Sequence, residues 1–238
     1  MFLVAMARPQ WDAHTFKVDG KVGIWPFVKM HAAQRTSRNR PRGTMEYHCV
    51  SVIKEVYKAY ILEKVLPAIA EKCPASMRAR QIRVQQDNAK PHNSVNDDDA
   101  DIIAKLQELN LTLTFVNQPA NSPDLNVLDL AFFRAIQSLQ QKTQLMNKAQ
   151  LIDNTLQAYN DFPDRKIDNG FLTLMGCMNM ILENDRDNKY RIPHMSKASL
   201  EKSGTLPWLI LISTATNILE MGVEEMEAEV VVEEVVEN

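Results

Sequence analysis

The chain has few of the residues that mark special classes of protein. Only 3 of its 238 residues are cysteine. Cys49, Cys73 and Cys177 lie far apart with no C-x-x-C pair, so neither a disulfide framework nor a structural zinc site is indicated, and a reducing compartment is the simpler reading. Glycine occurs 7 times and charged residues make up 24% of the chain, which excludes the collagenous and low-complexity classes. Long hydrophobic runs are also missing. Leu206–Leu219, the longest late apolar stretch, is broken by Ser213, Thr214, Thr216 and Asn217 and is too short to cross a bilayer as a helix, so no membrane partner is expected. Met1–Ala7 is apolar but has no basic leader and runs into Arg8-Pro9, so it reads as a strand rather than a signal peptide.

A hydrophobic content of 45% over 238 residues is enough for one sizeable core. The formal charge of −3 hides a strong asymmetry: residues 1–90 carry a net +9, residues 91–219 a net −4, and residues 220–238 a net −8. A basic first third suits contact with a polyanion, whereas the acidic end would be repelled by one.

Phe2–Ala7 and Val22–Val28 read as antiparallel strands joined through a polar stretch with Asp19-Gly20 at its turn. From Met45 to about Glu71 apolar residues recur at helical spacing, which predicts a long amphipathic helix that Pro67 kinks and that ends before Pro74. Ile82–Gln86 is a short strand stopping at Asp87. A helix follows over Asp98–Leu109, then a strand over Leu111–Val116. Leu128, Leu130, Phe132, Phe133, Ile136 and Leu139 mark a buried helix, followed by helices near Lys148–Tyr159 and Asp168–Glu183. Strands alternating with helices indicate an α/β sandwich. Gly222–Asn238 alternates Glu with Val and Met, and its composition reads as a disordered acidic tail.

Two segments carry chemistry. Gln85-Gln86-Asp87-Asn88-Ala89-Lys90-Pro91-His92 places a carboxylate at a strand end. Gln118-Pro119-Ala120-Asn121-Ser122-Pro123-Asp124-Leu125-Asn126-Val127-Leu128-Asp129 places another in the first turn of a helix. Brought together, Asp87 and Asp129 could hold divalent metal for phosphodiester chemistry. The bland alternatives are a turn or capping role for Asp87 and, for Asp129 three residues after an Asn126 N-cap, favourable placement at the helix dipole. His92 reads as a neighbour of Asp87 rather than a ligand. Neither His92 nor His194 has a Ser or Cys nucleophile placed beside it, so an unrelated hydrolase carries little weight. Separately, Lys29, Arg35, Arg38, Arg40 and Arg42 fall in an acid-free loop over Lys29–Gly43. This loop is the best candidate for phosphate contacts, with a solvated, solubilising loop as its equal alternative.

The two acidic segments, with Phe132-Phe133 and Ile136–Gln140 continuing them, resemble the catalytic domain of mariner-like transposases. Ala7-Arg8-Pro9, Gly20–Pro26 and Asn39–Thr44 resemble the plant and oomycete branch of that family, and Pro193–Lys197 and Gly204–Pro207 resemble its C-terminal end. The likeness spans roughly residues 2–207. It implies a ribonuclease H-like α/β fold, a central mixed sheet flanked by helices, over residues 1–205, with 206–238 as a C-terminal extension.

The family binds two metal ions through three acids. Asp87 matches the second and Asp129 the third, with Val127 where proline is common. The first lies on a strand upstream of the segment matching Phe2–Ala7, so the resemblance implies an N-terminally truncated domain that lacks its first strand. Asp12 and Asp19, the only early acids, fall in the connection between the first two strands. The implied cofactor is Mg2+ or Mn2+, held weakly or not at all with two acids of three. The implied partners are DNA, as transposon ends and target, and a second copy in a homodimer; the implied location is the nucleus. The expected activity is DNA cutting and joining, without efficient strand transfer from this chain. The alternative is a catalytically inactive remnant that binds nucleic acid or another protein.

Overall fold

The computed structural model describes residues 1–12, 15–38, 40–74, 81–136, 147–184, 189–210 and 228–235. Five strands form the main sheet in the order β4-β1-β9-β7-β8, where β1 is Phe2–Ala7, β4 Lys21–Pro26, β7 Ile82–Gln86, β8 Leu113–Asn117 and β9 Ala228–Val235. β1 runs antiparallel to both β4 and β9, while β9, β7 and β8 are mutually parallel neighbours. The sheet is therefore mixed, and helices cover both of its faces. This is an α/β fold.

Strand alternation divides the core into two layers. Leu3, Ala5 and Ala7 of β1, with Val230 and Val232 of β9, pack on one face against Tyr57, Ile61, Val65, Leu66 and Ile69. Phe2, Val4 and Met6, with Val231, pack on the other against Leu128, Phe132, Tyr159, Ile167 and Phe171. Because both faces are covered, the β1 sequence FLVAMA is apolar without alternation and is buried at all six positions. Val230, Val231 and Val232 are each 0% exposed, and each such burial contributes roughly 1.5–3 kcal/mol before conformational entropy is charged against it.

The first layer is built on α1 (Lys54–Tyr60), a π-helical turn (Ile61–Val65) and α2 (Leu66–Lys72), which follow one another without a break. The kink expected at Pro67 takes the form of that π turn. Proline has no N–H to give to the preceding turn and its ring crowds the carbonyl four residues back, so the helix widens immediately before it. α3 (Ala100–Leu109) follows, capped by Asp99, whose carboxylate accepts the Asp101 and Ile102 amides. The second layer comprises the π turn Leu128–Phe132, α4 (Lys148–Asn160) and α5 (Asp164–Glu183), with α6 (Lys197–Lys202) beyond them.

Three expectations change. The β1 and β4 strands do pair, but a small ribbon of β2 (Gln10–Asp12) and β3 (Thr15–Val18) lies between them. Asp19 accepts the Lys21 amide at 2.9 Å in the turn, and Gly20 adopts a left-handed φ of 79°. Met45–Cys49 is not the start of the long helix: it is β6, paired antiparallel with β5 (Val28–Ala32), and the helix begins at Lys54. Thr44, the capping candidate ahead of it, instead donates its hydroxyl to the Pro41 carbonyl at 2.8 Å, and the segment's aromatic and polar residues suit a two-sided ribbon. The acidic tail is not disordered at Ala228–Val235, which forms β9 in the middle of the sheet; 211–227 and 236–238 lie outside the described residues. Among the described residues no helix is long and apolar enough to cross a membrane.

Candidate functional site

Asp87 is the residue after β7, at its carboxyl end. One oxygen, Oδ1, accepts the Ala89 amide at 2.8 Å and also faces Nδ1 of His92. His92 is 0% exposed and stacks on Tyr57 with ring centroids 3.9 Å apart. The Tyr57 hydroxyl donates to Gln86 Oε1 at 3.1 Å, and Gln86 Nε2 donates in turn to the Val95 carbonyl and to Asn117 Oδ1, both at 3.1 Å. The first motif is thus fastened from below by a buried polar network, which leaves its aspartate fixed at the sheet edge.

The second motif is tied to the first chiefly by amide side chains of the first that donate to backbone carbonyls of the second. Gln85 Nε2 donates to the Leu125 carbonyl at 2.8 Å and Asn88 Nδ2 to the Gln118 carbonyl at 2.6 Å. The Gln118 backbone N–H donates to the Gln86 carbonyl, and its Oε1 accepts from Asn126 Nδ2 at 3.2 Å. Asn126 is extended and its Oδ1 accepts the Leu128 amide at 2.9 Å, while Val127 is already helical. That makes Asn126 the functional cap and Asp129 the N3 residue, as its spacing predicts.

Asp129 is carried on the π turn Leu128–Phe132, an irregularity that widens the first turn. α5 crosses this segment closely at Gly170, where a methyl group would come within 2.8 Å of Ala131 Cβ and 3.0 Å of Val127 Cγ2. α5 is further anchored by Asp168, whose Oδ1 accepts from Arg8 Nε at 3.1 Å. Neither Gly170 nor Asp168 is marked by either motif.

The two acids share an electrostatic environment. Burial pushes the Asp129 carboxyl above its usual range, the negative charge of Asp87 pushes it further, and Arg134 partly offsets both. Burial also opposes ionisation of Asp87, but the His92 hydrogen bond and the Ala89 amide outweigh it and hold that carboxyl below its usual range. The structure therefore brings together Asp87 and Asp129, the two acids singled out by sequence, one favoured and one disfavoured as an anion. Hard oxygen donors in this state suit Mg2+ or Mn2+, because a cation between them relieves their repulsion. Among the described residues no group of three His, Cys, Asp or Glu side chains converges at one point.

The basic candidates lie elsewhere, on the β5–β6 ribbon. Lys29 is an exposed residue of β5, and Arg35, Arg38 and Arg42 are exposed in its connection. Arg40 differs, since its guanidinium is paired with Glu46 of β6. The connection is a shaped turn rather than an open loop: Ser37 bridges Arg40, and Thr36 Oγ1 accepts the Arg42 amide at 3.1 Å.

No protein-family model, curated protein or solved structure matches this chain.

Proposed function

We propose that this chain is a mariner-like transposase catalytic domain of ribonuclease H-like architecture, acting on DNA through Mg2+ or Mn2+ at Asp87 and Asp129. The observation that carries the reading is the electrostatic effect of Asp87 on Asp129, two acids that come from separate motifs joined by the Gln85 and Asn88 side chains. Bound metal would supply activation of the attacking oxygen and charge neutralisation at phosphorus. The protein's part is to hold the acids rigidly: His92 and the Ala89 amide occupy one oxygen of Asp87, and the Asn126 cap fixes the turn that bears Asp129.

The register indicates where a third acid would come from. β7 lies between β8 and β9, so β9 is the neighbouring strand that can bring an acid level with Asp87. Val232 pairs with Gln86, so the next residue, Glu233, is level with Asp87 in the backbone register. On this reading Glu233 occupies the register position from which a third acid would serve the site.

Calorimetric titration of the full chain with Mn2+ tests the site. We expect Asp87→Asn, Asp129→Asn and Glu233→Gln each to weaken binding at least tenfold, and Mn2+-dependent plasmid nicking to be slow and lost in Asp129→Asn. Wild-type Mn2+ affinity in both aspartate variants would sink the enzyme reading. The remaining reading would then be a nucleic-acid-binding remnant, supported by the exposed cations of the β5–β6 ribbon, since a two-stranded ribbon of this kind fits the major groove.

A further inference from the structure

A cleft of about 710 Å³ opens between α5 and the segment 192–199, lined by Thr173, His194, Ser196, Lys197 and Ser199 and, on one side, by Arg134. No acid lines it. Its remaining wall is apolar, with Ile192, Pro193 and Met195. Gly176 lets this wall close on α5, since a methyl group there would come within 2.9 Å of Pro193 Cγ.

Lys197 is the unusual group. Its ammonium is partly withdrawn from water and donates to the neutral hydroxyl of Thr173 at 2.6 Å, with no carboxylate paired to it among the described residues. Burial pulls its pKa below the ordinary lysine value. The nearby Cys177 thiol offers no compensation, because burial and the charge of Asp124 push it up to about 11 and keep it neutral. A lysine desolvated without a counter-ion costs stability, and a cationic cleft lined by hydroxyl donors is where an external anion would recover that cost.

Position identifies the anion. Arg134 lines the cleft and also acts electrostatically on Asp129, so one cation faces both the cleft and the acidic pair. The volume suits a nucleotide or two and is too small for a duplex. We propose that this cleft binds the phosphate of an unpaired nucleic-acid strand, with Lys197 as its principal cation and Arg134 directing the strand toward Asp129. The assignment of nucleic acid rather than another phosphate rests on the proposed function; the anion site does not.

The test is fluorescence anisotropy of the full chain with a labelled strand of eight deoxythymidines, in EDTA, over a series of salt concentrations. EDTA separates the two readings: loss of metal binding at the acids leaves this result untouched, and failure here leaves the metal titration untouched. We expect Lys197→Gln and Arg134→Gln each to weaken binding about tenfold and to make the salt dependence shallower by about 0.7, the share of one neutralised phosphate on a single strand. Lys197→Arg should retain most of the affinity, which guards against a folding defect, and Lys202→Gln on the exposed end of α6 should match wild type. Wild-type affinity and salt slope in Lys197→Gln would overturn the site. Binding of inorganic phosphate that depends on Lys197, with no binding of the strand, would overturn nucleic acid as its ligand.

Discussion

Asp87 and Asp129 have opposite effects on the stability of the fold they share. Asp87 has a folded-state value below 3.8, so its contribution is present above that pH and is lost as pH falls through the depressed value. Asp129 has a folded-state value above 3.8, so its favourable contribution exists only below that pH and disappears as pH rises through the raised value. At neutral pH one acid supports the structure and the other opposes it. Asp129→Asn, measured by thermal unfolding in EDTA, should therefore raise Tm at pH 7 by about 2 °C, and the gain should shrink as pH approaches 4. Asp87→Ala should go the other way by about 1–3 kcal/mol, because it leaves the fully buried His92 without its carboxylate. A lower Tm for Asp129→Asn at pH 7 would mean that its carboxylate is stabilised as an anion by further hydrogen bonds.

Among the elements, the position of Asp129 depends on the distance between α5 and the π turn. Gly170 is the contact that sets that distance, and its neighbours are a methyl group and a valine branch with little room to yield. Gly170→Ala should destabilise the protein by about 1–3 kcal/mol through overpacking, read as a lower urea midpoint with unchanged slope. Metal affinity should fall with it, since the displaced turn carries Asp129. Much of this level is legible in the sequence. Ile82–Gln86 and a helix over Asp98–Leu109 follow from apolar patterning, with the helix start set at Ala100 by the Asp99 cap, and the Asn126 cap follows from its spacing to Asp129. Met45–Cys49 reads as helix, against the structure, because Val52 and Val56 extend an apolar pattern backwards past the true helix start at Lys54. The cleft of Lys197 is not legible at all: Arg134, Thr173 and Lys197 come from three separate elements, and only packing makes them neighbours.

At the scale of the molecule, the largest difference between sequence and structure is β9. The run Ala228-Glu-Val-Val-Val-Glu-Glu-Val has the β-branched content of a strand, but a net −8 over residues 220–238 reads as an unfolded tail. Tertiary context decides it. The edges of β1 and β7 need a partner between them, and three valines buried at 0% exposure outweigh the charge. Phe2 pairs with Val235, so the start of the first strand and the end of the last are adjacent, antiparallel neighbours. Two strands in that relation need only a short turn between them to become a hairpin. A circular permutant that begins near residue 228 and joins the old ends through such a turn should fold, with the urea midpoint close to that of the parent and the same Mn2+ affinity. A permutant that is unfolded would show that β9 does not belong in the sheet. If it folds, the strand latest in the sequence becomes the first of three successive antiparallel neighbours, β9, β1 and β4, and the permuted chain visits the sheet in the spatial order 3-2-1-4-5.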